Sequence, residues 1–76
     1  MKVSVKTIQK IMQEICKKRD IDGDSLEYAT DIERENEYIV RAYDPVGNRS
    51  YLVSITKPKN KYTYSLTIRT GEKLGI

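Results

Sequence analysis

The chain of 76 residues contains no histidine, and this absence limits the chemistry that it can perform. Histidine is the side chain that most often transfers protons at neutral pH, so general acid–base catalysis would require another group with a strongly shifted pKa. Neither a glycine-rich phosphate loop nor a nucleophilic serine motif is present, and Cys16 has no histidine to activate it. We therefore expect a protein that is not an enzyme and that binds no cofactor and no small-molecule substrate.

Cysteine and long apolar runs are equally scarce. The one cysteine cannot form a disulfide within the chain, which favours a reducing compartment. Residues 1–6 lack the apolar core of a signal peptide, and no run approaches the roughly 20 apolar residues of a membrane helix. We expect a soluble, cytoplasmic protein with no membrane partner, and a single domain over residues 1–76, since a chain this short can bury only a small core.

Charge is distributed in blocks along the chain, although the net charge is only +3. Residues 1–19 carry six basic and one acidic residue, residues 20–37 carry one basic and eight acidic residues, and residues 38–76 carry seven basic and two acidic residues. Segments of opposite sign can orient a charged partner or a second copy of the protein.

An amphipathic helix is predicted over about residues 4–19. Ser4 suits the N-cap, Lys17 to Arg19 complement the negative end of the helix dipole, and Gly23 follows in an aspartate-rich turn. The residues at helical spacing, which must be buried together, are Ile8, Ile11, Met12, Ile15 and Cys16.

The rest of the chain shows the two-residue alternation of half-buried strands. Strands are predicted at about residues 25–33, 37–44, 49–57 and 61–70, separated by turns rich in Asp, Asn, Pro and Gly. We predict an α+β fold, with the N-terminal helix on one face of a four-stranded antiparallel meander in the order 1-2-3-4. Residues 71–76 are predicted to fray.

The turn residues also predict the registers of the three hairpins, because a shift by one residue would move every side chain to the other face. A loop of Arg34, Glu35 and Asn36 in the first hairpin would place Ile32 opposite Tyr38 and Thr30 opposite Val40. If the two later turns close directly, the predicted opposite pairs are Val40 with Tyr51, Tyr38 with Val53, Ile55 with Tyr62, Val53 with Tyr64 and Tyr51 with Leu66.

One helix covers one face of the sheet, so the other face is predicted to be open. Ile39 lies beside Leu52 on this face, with Arg41 and Tyr43 close by, in a field of serine and threonine hydroxyls. Adjacent apolar residues with a tyrosine and an arginine are typical of a modest association patch. We predict a protein-interaction module that self-associates, as a homodimer, through this face or through an edge strand.

The alternative is a nucleic-acid-binding module that uses two groups of lysines. Long cationic side chains bind phosphates, and interleaved tyrosines could stack on bases. However, at least half of the tyrosines fall on the side that faces the helix, and the acidic segment interrupts a broad basic surface. The lysines of the helix and of the last hairpin turn are Lys6, Lys10, Lys17, Lys57, Lys59 and Lys61.

The acidic segment itself has two further interpretations. Charges on an edge strand discourage unwanted pairing, and this is the simpler explanation. Alternatively, Glu33, Glu35 and Glu37 could mimic phosphates in a nucleic-acid-binding groove.

The alternation of Asp20, Asp22 and Asp24 resembles the start of a calcium-binding EF-hand loop. However, Ser25 stands where that loop needs glycine and Asp31 where it needs glutamate. We therefore predict no metal site.

Overall fold

The computed structural model describes residues 1–29 and 31–70, which form one helix packed on one face of an antiparallel sheet. The helix α1 spans Val5–Arg19, and the strands are β1 Glu27–Tyr28, β2 Ile32–Glu33, β3 Tyr38–Asp44, β4 Arg49–Thr56 and β5 Thr63–Thr70. The strand order is β1-β3-β4-β5, and β2 also pairs with β3. The predicted α+β class is confirmed, with the first predicted strand divided in two. The tail predicted to fray lies outside the described residues.

Both ends of α1 are fixed by local hydrogen bonds. The backbone N–H of Thr7 donates to the Ser4 hydroxyl at 3.2 Å, which confirms Ser4 as the N-cap. At the other end Asp20 adopts a left-handed conformation, and the N–H of Ile21 donates to the carbonyl of Cys16 at 2.9 Å. A left-handed residue followed by this bond satisfies carbonyls that the end of a helix leaves without partners.

The core lies between α1 and the face of the sheet that it covers. Side chains at alternate positions of β3 and β4 point to this face, and residues of β5 pack against its margin. The predicted inward side chains of β3 and β4 are therefore confirmed as part of the core or as packed against it. Its buried members are Ile11, Met12, Ile15, Val40, Ala42, Tyr51, Val53 and Ile55.

The two long hairpins differ from the predicted registers by two residues each. Val40 lies opposite Val53 rather than Tyr51, and Ile55 lies opposite Tyr64 rather than Tyr62. The other three pairs predicted from these turns shift in the same way: Tyr38 lies opposite Ile55 rather than Val53, Val53 opposite Leu66 rather than Tyr64, and Tyr51 opposite Ile68 rather than Leu66.

The cause is that both connections contain more residues than a directly closed turn. Asn48 in the first, and Lys59 and Asn60 in the second, adopt left-handed conformations with positive φ. A left-handed residue after a tight turn restores the twist that the strands need, and it lengthens the loop. Because each shift is an even number of residues, every side chain keeps its predicted face.

A bulge interrupts the first predicted strand. Tyr28 lies opposite Ala42 and Ile32 lies opposite Ile39, so the register against β3 shifts by one residue between β1 and β2. One extra residue in one strand of an antiparallel pair is the pattern of a β-bulge.

The bulge also overturns the predicted register at the first hairpin. The N–H of Arg34 donates to the carbonyl of Glu37 at 2.8 Å, which closes the hairpin with Glu33, rather than Ile32, opposite Tyr38. Ile32 consequently lies on the open face instead of the helix-covered face. The other pair predicted for this hairpin includes Thr30, which lies outside the described residues.

No helix in the described part of the chain is both long and apolar enough to cross a membrane.

Candidate interaction surface

The open face of the sheet brings together the four residues predicted as an interface. Arg41 lies directly opposite Leu52, and Ile39 and Tyr43 flank Arg41 on β3. However, Ile39 is only 8% exposed, and the other three are half-buried. The expectation that Ile39 and Leu52 form an exposed apolar pair is therefore wrong for Ile39, which lies opposite Ile32 because of the bulge.

Polar contacts also occupy part of this face. The Ser54 hydroxyl donates to the Glu37 carboxylate, and the Tyr43 hydroxyl donates to Asn48 Oδ1 at 3.0 Å. Ser50 is fully buried, and its hydroxyl has no hydrogen-bond partner among the residues that the structure describes. The open face is thus more closed by its own side chains than the sequence predicted.

The six lysines of the nucleic-acid alternative are all exposed, but they belong to two separate elements. Lys6, Lys10 and Lys17 lie on α1, and the remaining three lie at the β4–β5 connection. There the Lys57 ammonium stands 4.6 Å from the centre of the Tyr62 ring, the arrangement of a cation–π contact. Glu35 shares a groove with Lys57, so an acidic side chain borders this basic tip.

The acidic segment forms the first edge of the sheet, which we define as β1, β2 and the bulge between them. The Glu33 carboxylate lies 4.0 Å from the terminal ammonium of Met1. Glu37 is half-buried and lies 3.5 Å from Arg34 in addition to its contact with Ser54. Two of the three carboxylates proposed as phosphate mimics are therefore engaged within the chain.

A hydrogen bond attaches the bulge to β3. The Tyr38 hydroxyl donates to Asp31 Oδ2 at 2.7 Å. This bond holds the proton of the hydroxyl and, with the nearby charges of Asp31 and Glu33, raises the pKa of Tyr38 to about 12. The bond stabilises the first edge in its bulged form.

Cys16 lies in a cleft of about 450 Å³ between α1 and β1. It is half-buried rather than fully buried as the sequence suggested. Burial, and then the charge of Asp22, raise the pKa of its thiol. A raised pKa lowers the fraction of reactive thiolate, so the cleft does not activate this cysteine.

The aspartates after α1 make local backbone contacts. The Asp22 carboxylate accepts a hydrogen bond from the N–H of Asp24 at 3.1 Å, and Asp20 ends the helix. Across the described part of the chain no three potential metal ligands come together.

The outer side of β5, which we call the β5 edge, has no partner strand within the described residues. The N–H of Ala29 donates to the carbonyl of Arg41, which fixes the direction of the backbone groups of β3. These directions alternate along each antiparallel strand, so the pattern can be followed through β4 to β5. It follows that the N–H and C=O groups of Tyr64, Leu66 and Ile68 point away from the sheet.

Over residues 63–68 the β5 edge also lacks the features that usually prevent strand pairing. Residues 63–68 contain no charge, proline or glycine, and β5 pairs with β4 without interruption over eight residues. Ile68 is 38% exposed at this edge. Beside it a groove of about 290 Å³ runs between α1 and β5, lined by Ile15, Lys18, Arg19, Tyr64 and Leu66.

Sequence reasoning assigned Tyr64, Leu66 and Ile68 only to the core and named no residues for an edge-strand contact. The signal was nevertheless present, because the last strand of a meander has a free side and this one has an uncharged run of six residues.

Comparison of the chain with models of protein families, with curated protein sequences and with solved structures gives no match.

Proposed function

We propose that this chain is a small non-enzymatic protein-interaction module that self-associates through the β5 edge. The observation that carries this proposal is the contrast between β5, a regular strand of eight residues whose outer side has no partner strand within the described residues, and the short, bulged strands at the opposite edge. Strand addition at such an edge gives affinity through backbone hydrogen bonds and specificity through alternate side chains. A cytoplasmic setting is part of the same proposal, and the single cysteine supports it.

The chemistry of the edge supports a polypeptide partner in particular. The outward backbone groups of Tyr64, Leu66 and Ile68 need donors and acceptors at the spacing of another strand. The groove beside Leu66 offers apolar contact on the helix-covered side. One strand and one groove form a small interface, so we expect a transient contact with a dissociation constant of about 10 μM or weaker.

Sedimentation over a concentration series, with two substitutions, tests this proposal. The wild-type chain is expected to show a reversible monomer–dimer equilibrium. Ile68→Lys places a charge at the β5 edge and should abolish it, whereas Leu52→Lys places the same charge on the open face and should not. A wild-type chain that stays monomeric at millimolar concentration contradicts the proposal. Loss of the dimer with Leu52→Lys alone would move the contact to the face that contains Arg41 and Tyr43.

Binding of nucleic acid is the second candidate function, favoured by the six exposed lysines and by the contact of Lys57 with Tyr62. It predicts binding that weakens steeply as salt is added, because bound cations release counterions from the phosphates. Titration of labelled single- and double-stranded oligonucleotides at low salt tests it. Replacing Lys57 and Lys61 with glutamine should then lower the affinity and reduce the salt dependence, and an absence of binding at low salt removes this candidate.

A further inference from the structure

We infer that two copies of the chain join antiparallel along β5, with Leu66 of one copy opposite Leu66 of the second copy. The inference rests on the proposed self-association and specifies its geometry. It gives a continuous sheet across both copies, with both helices on the same side.

The direction of the backbone groups limits the possible registers. Only even-numbered residues of β5 direct their N–H and C=O groups outward, so even-numbered residues must lie opposite even-numbered residues. In an antiparallel pair with two-fold symmetry the strands then centre on a single residue. Because even-numbered side chains all lie on the helix-covered face, each such register keeps the two helices together.

A two-fold axis at Ser65, Leu66 or Thr67 would pair most of β5 with its copy, and the side chains that lie opposite each other distinguish these three registers. Centring on Ser65 places Lys61 opposite Arg69, and like charges opposite each other oppose pairing. Centring on Thr67 places Tyr64 opposite Thr70, which leaves an aromatic ring without an apolar partner.

Centring on Leu66 avoids both problems. Tyr64 lies opposite Ile68 of the second copy, Leu66 lies opposite itself, and no two charges of like sign are opposite each other. On the open face Ser65 lies opposite Thr67 of the second copy. Among the residues of β5, this is the one register of the three that places every outward apolar residue opposite an apolar residue and keeps Lys61 and Arg69 apart.

The same geometry places the two grooves beside each other. Each groove is lined by Leu66 and bordered by Lys18 and Arg19, so the basic ends of the two helices approach the symmetry axis. The Glu14 carboxylate lies 3.0 Å from the Lys18 ammonium and partly offsets its charge within each copy. The remaining positive charge at the two helix ends produces electrostatic repulsion between the copies, which added salt relieves.

Disulfide trapping tests the register, because each centre brings a different pair of open-face residues together. The backbone groups of residues 65 and 67 point towards β4, so across the dimer these residues form non-hydrogen-bonded pairs, in which the Cα atoms approach to about 4.5 Å, within the range of a disulfide. Single-cysteine variants Ser65→Cys and Thr67→Cys, each also carrying Cys16→Ser, are oxidised separately and as an equimolar mixture. Intact mass identifies the products, since the two variants differ in mass.

The Leu66-centred register predicts that the mixed disulfide between residues 65 and 67 forms at least tenfold faster than either symmetric disulfide. A dominant symmetric disulfide at residue 65 or at residue 67 overturns this register, while the proposed self-association stands. Equal yields in all samples, unchanged by Ile68→Lys, indicate random collision and also overturn it. If sedimentation shows a monomer as well, the proposed function fails together with the inference.

Discussion

The two edges of the sheet differ in almost every feature that controls strand pairing. The first edge consists of two strands of two residues each, separated by a bulge and flanked by carboxylates. The β5 edge is one regular strand of eight residues, with no charge between residues 63 and 68. Short strands, bulges and charges are the devices by which proteins protect an edge from pairing. A chain that protects one edge and leaves the other regular favours association on one side only.

Additional contacts reinforce the protection of the first edge. The Tyr38 hydroxyl donates to Asp31, and Glu33 lies near the Met1 ammonium, so these contacts add to the backbone ladder that the short strands form with β3. At the β5 edge, by contrast, residues 63–68 carry no charge, and the charged groups beside this run are Arg69 near the end of β5 and Lys18 and Arg19 of α1. The molecule therefore closes one side with irregular structure, and on the other side no strand pairs with β5 within the described residues.

The largest expected effect comes from one charge placed at equivalent positions of the two edges. Tyr28 and Ile68 are 53% and 38% exposed, and both occupy positions whose backbone groups point outward. We expect Ile68→Lys to weaken self-association at least about tenfold, which corresponds to about 1.4 kcal/mol, and Tyr28→Lys to change it less than about twofold.

Sedimentation measures both variants, and thermal unfolding verifies that they remain folded. Equal losses of affinity would mean that the two edges do not differ in function, and a loss with Tyr28→Lys alone would reverse the comparison.

A smaller effect is expected from salt. Each copy carries a net charge of +3, and Lys18 and Arg19 lie beside the β5 edge. Hydrogen bonding and the charge of Glu14 raise the pKa of Lys18, so it stays protonated at neutral pH. Because salt screens repulsion between like charges, the dimer should become about twofold to fourfold tighter between low and high ionic strength.

Repeating the sedimentation series at several salt concentrations tests the sign of this effect. A dimer that weakens with salt would place the acidic first edge of one copy against a basic surface of the other. Salt is expected to tighten the β5 dimer but to weaken any binding of nucleic acid, so the two interactions would respond to salt in opposite directions.

The smallest effect concerns the bond that holds the bulge. Tyr38→Phe removes the hydrogen bond to Asp31, and we expect it to lower the free energy of unfolding by about 0.5 kcal/mol, since the pair is exposed to solvent. The matched variant Tyr62→Phe keeps the ring and removes a hydroxyl far from the first edge. Chemical denaturation measures both, and equal losses would show that the bond to Asp31 adds nothing.

The pH dependence of the same bond has a definite sign. The pKa of Tyr38 is about 12 in the folded chain and 10.0 for an unperturbed tyrosine. The contribution of this hydroxyl to stability is therefore complete below pH 10 and is lost as the pH rises towards 12. Absorbance titration of the tyrosines should include a late step from Tyr38, which Tyr38→Phe removes and Asp31→Asn moves to lower pH. A late step that persists in Tyr38→Phe belongs to another tyrosine.

Much of the fold could be predicted from the sequence because its patterns are redundant. The spacing of Ile11 and Ile15 and the alternation in β3, β4 and β5 each identify the buried side. Registers were wrong by two residues because left-handed residues such as Asn48 lengthen the loops, and the sequence alone does not show which asparagine or lysine takes that conformation. An even error preserves the faces, so the core was still correct.

The bulge was the one feature that changed a face. An odd number of extra residues moves Ile32 beside Ile39 on the open face, and the predicted patch is partly buried as a result. Alternation continues through residues 26–33 of the sequence without any mark of the extra residue, so periodicity could not find it. The strand order determines which strand forms the second edge of the sheet, and the predicted order already identified the last strand as that edge.

Residue-resolved amide hydrogen exchange, measured well below and well above the dissociation constant, tests the central claim most directly. In the dilute monomer the amides of Tyr64, Leu66 and Ile68 should exchange fast while those of Ser65 and Thr67 are protected by β4. At high concentration these three outward amides should become protected, and the outward amide of Tyr28 on the first edge should remain fast. Unchanged exchange at the three β5 positions in a sample that has dimerised would contradict the account.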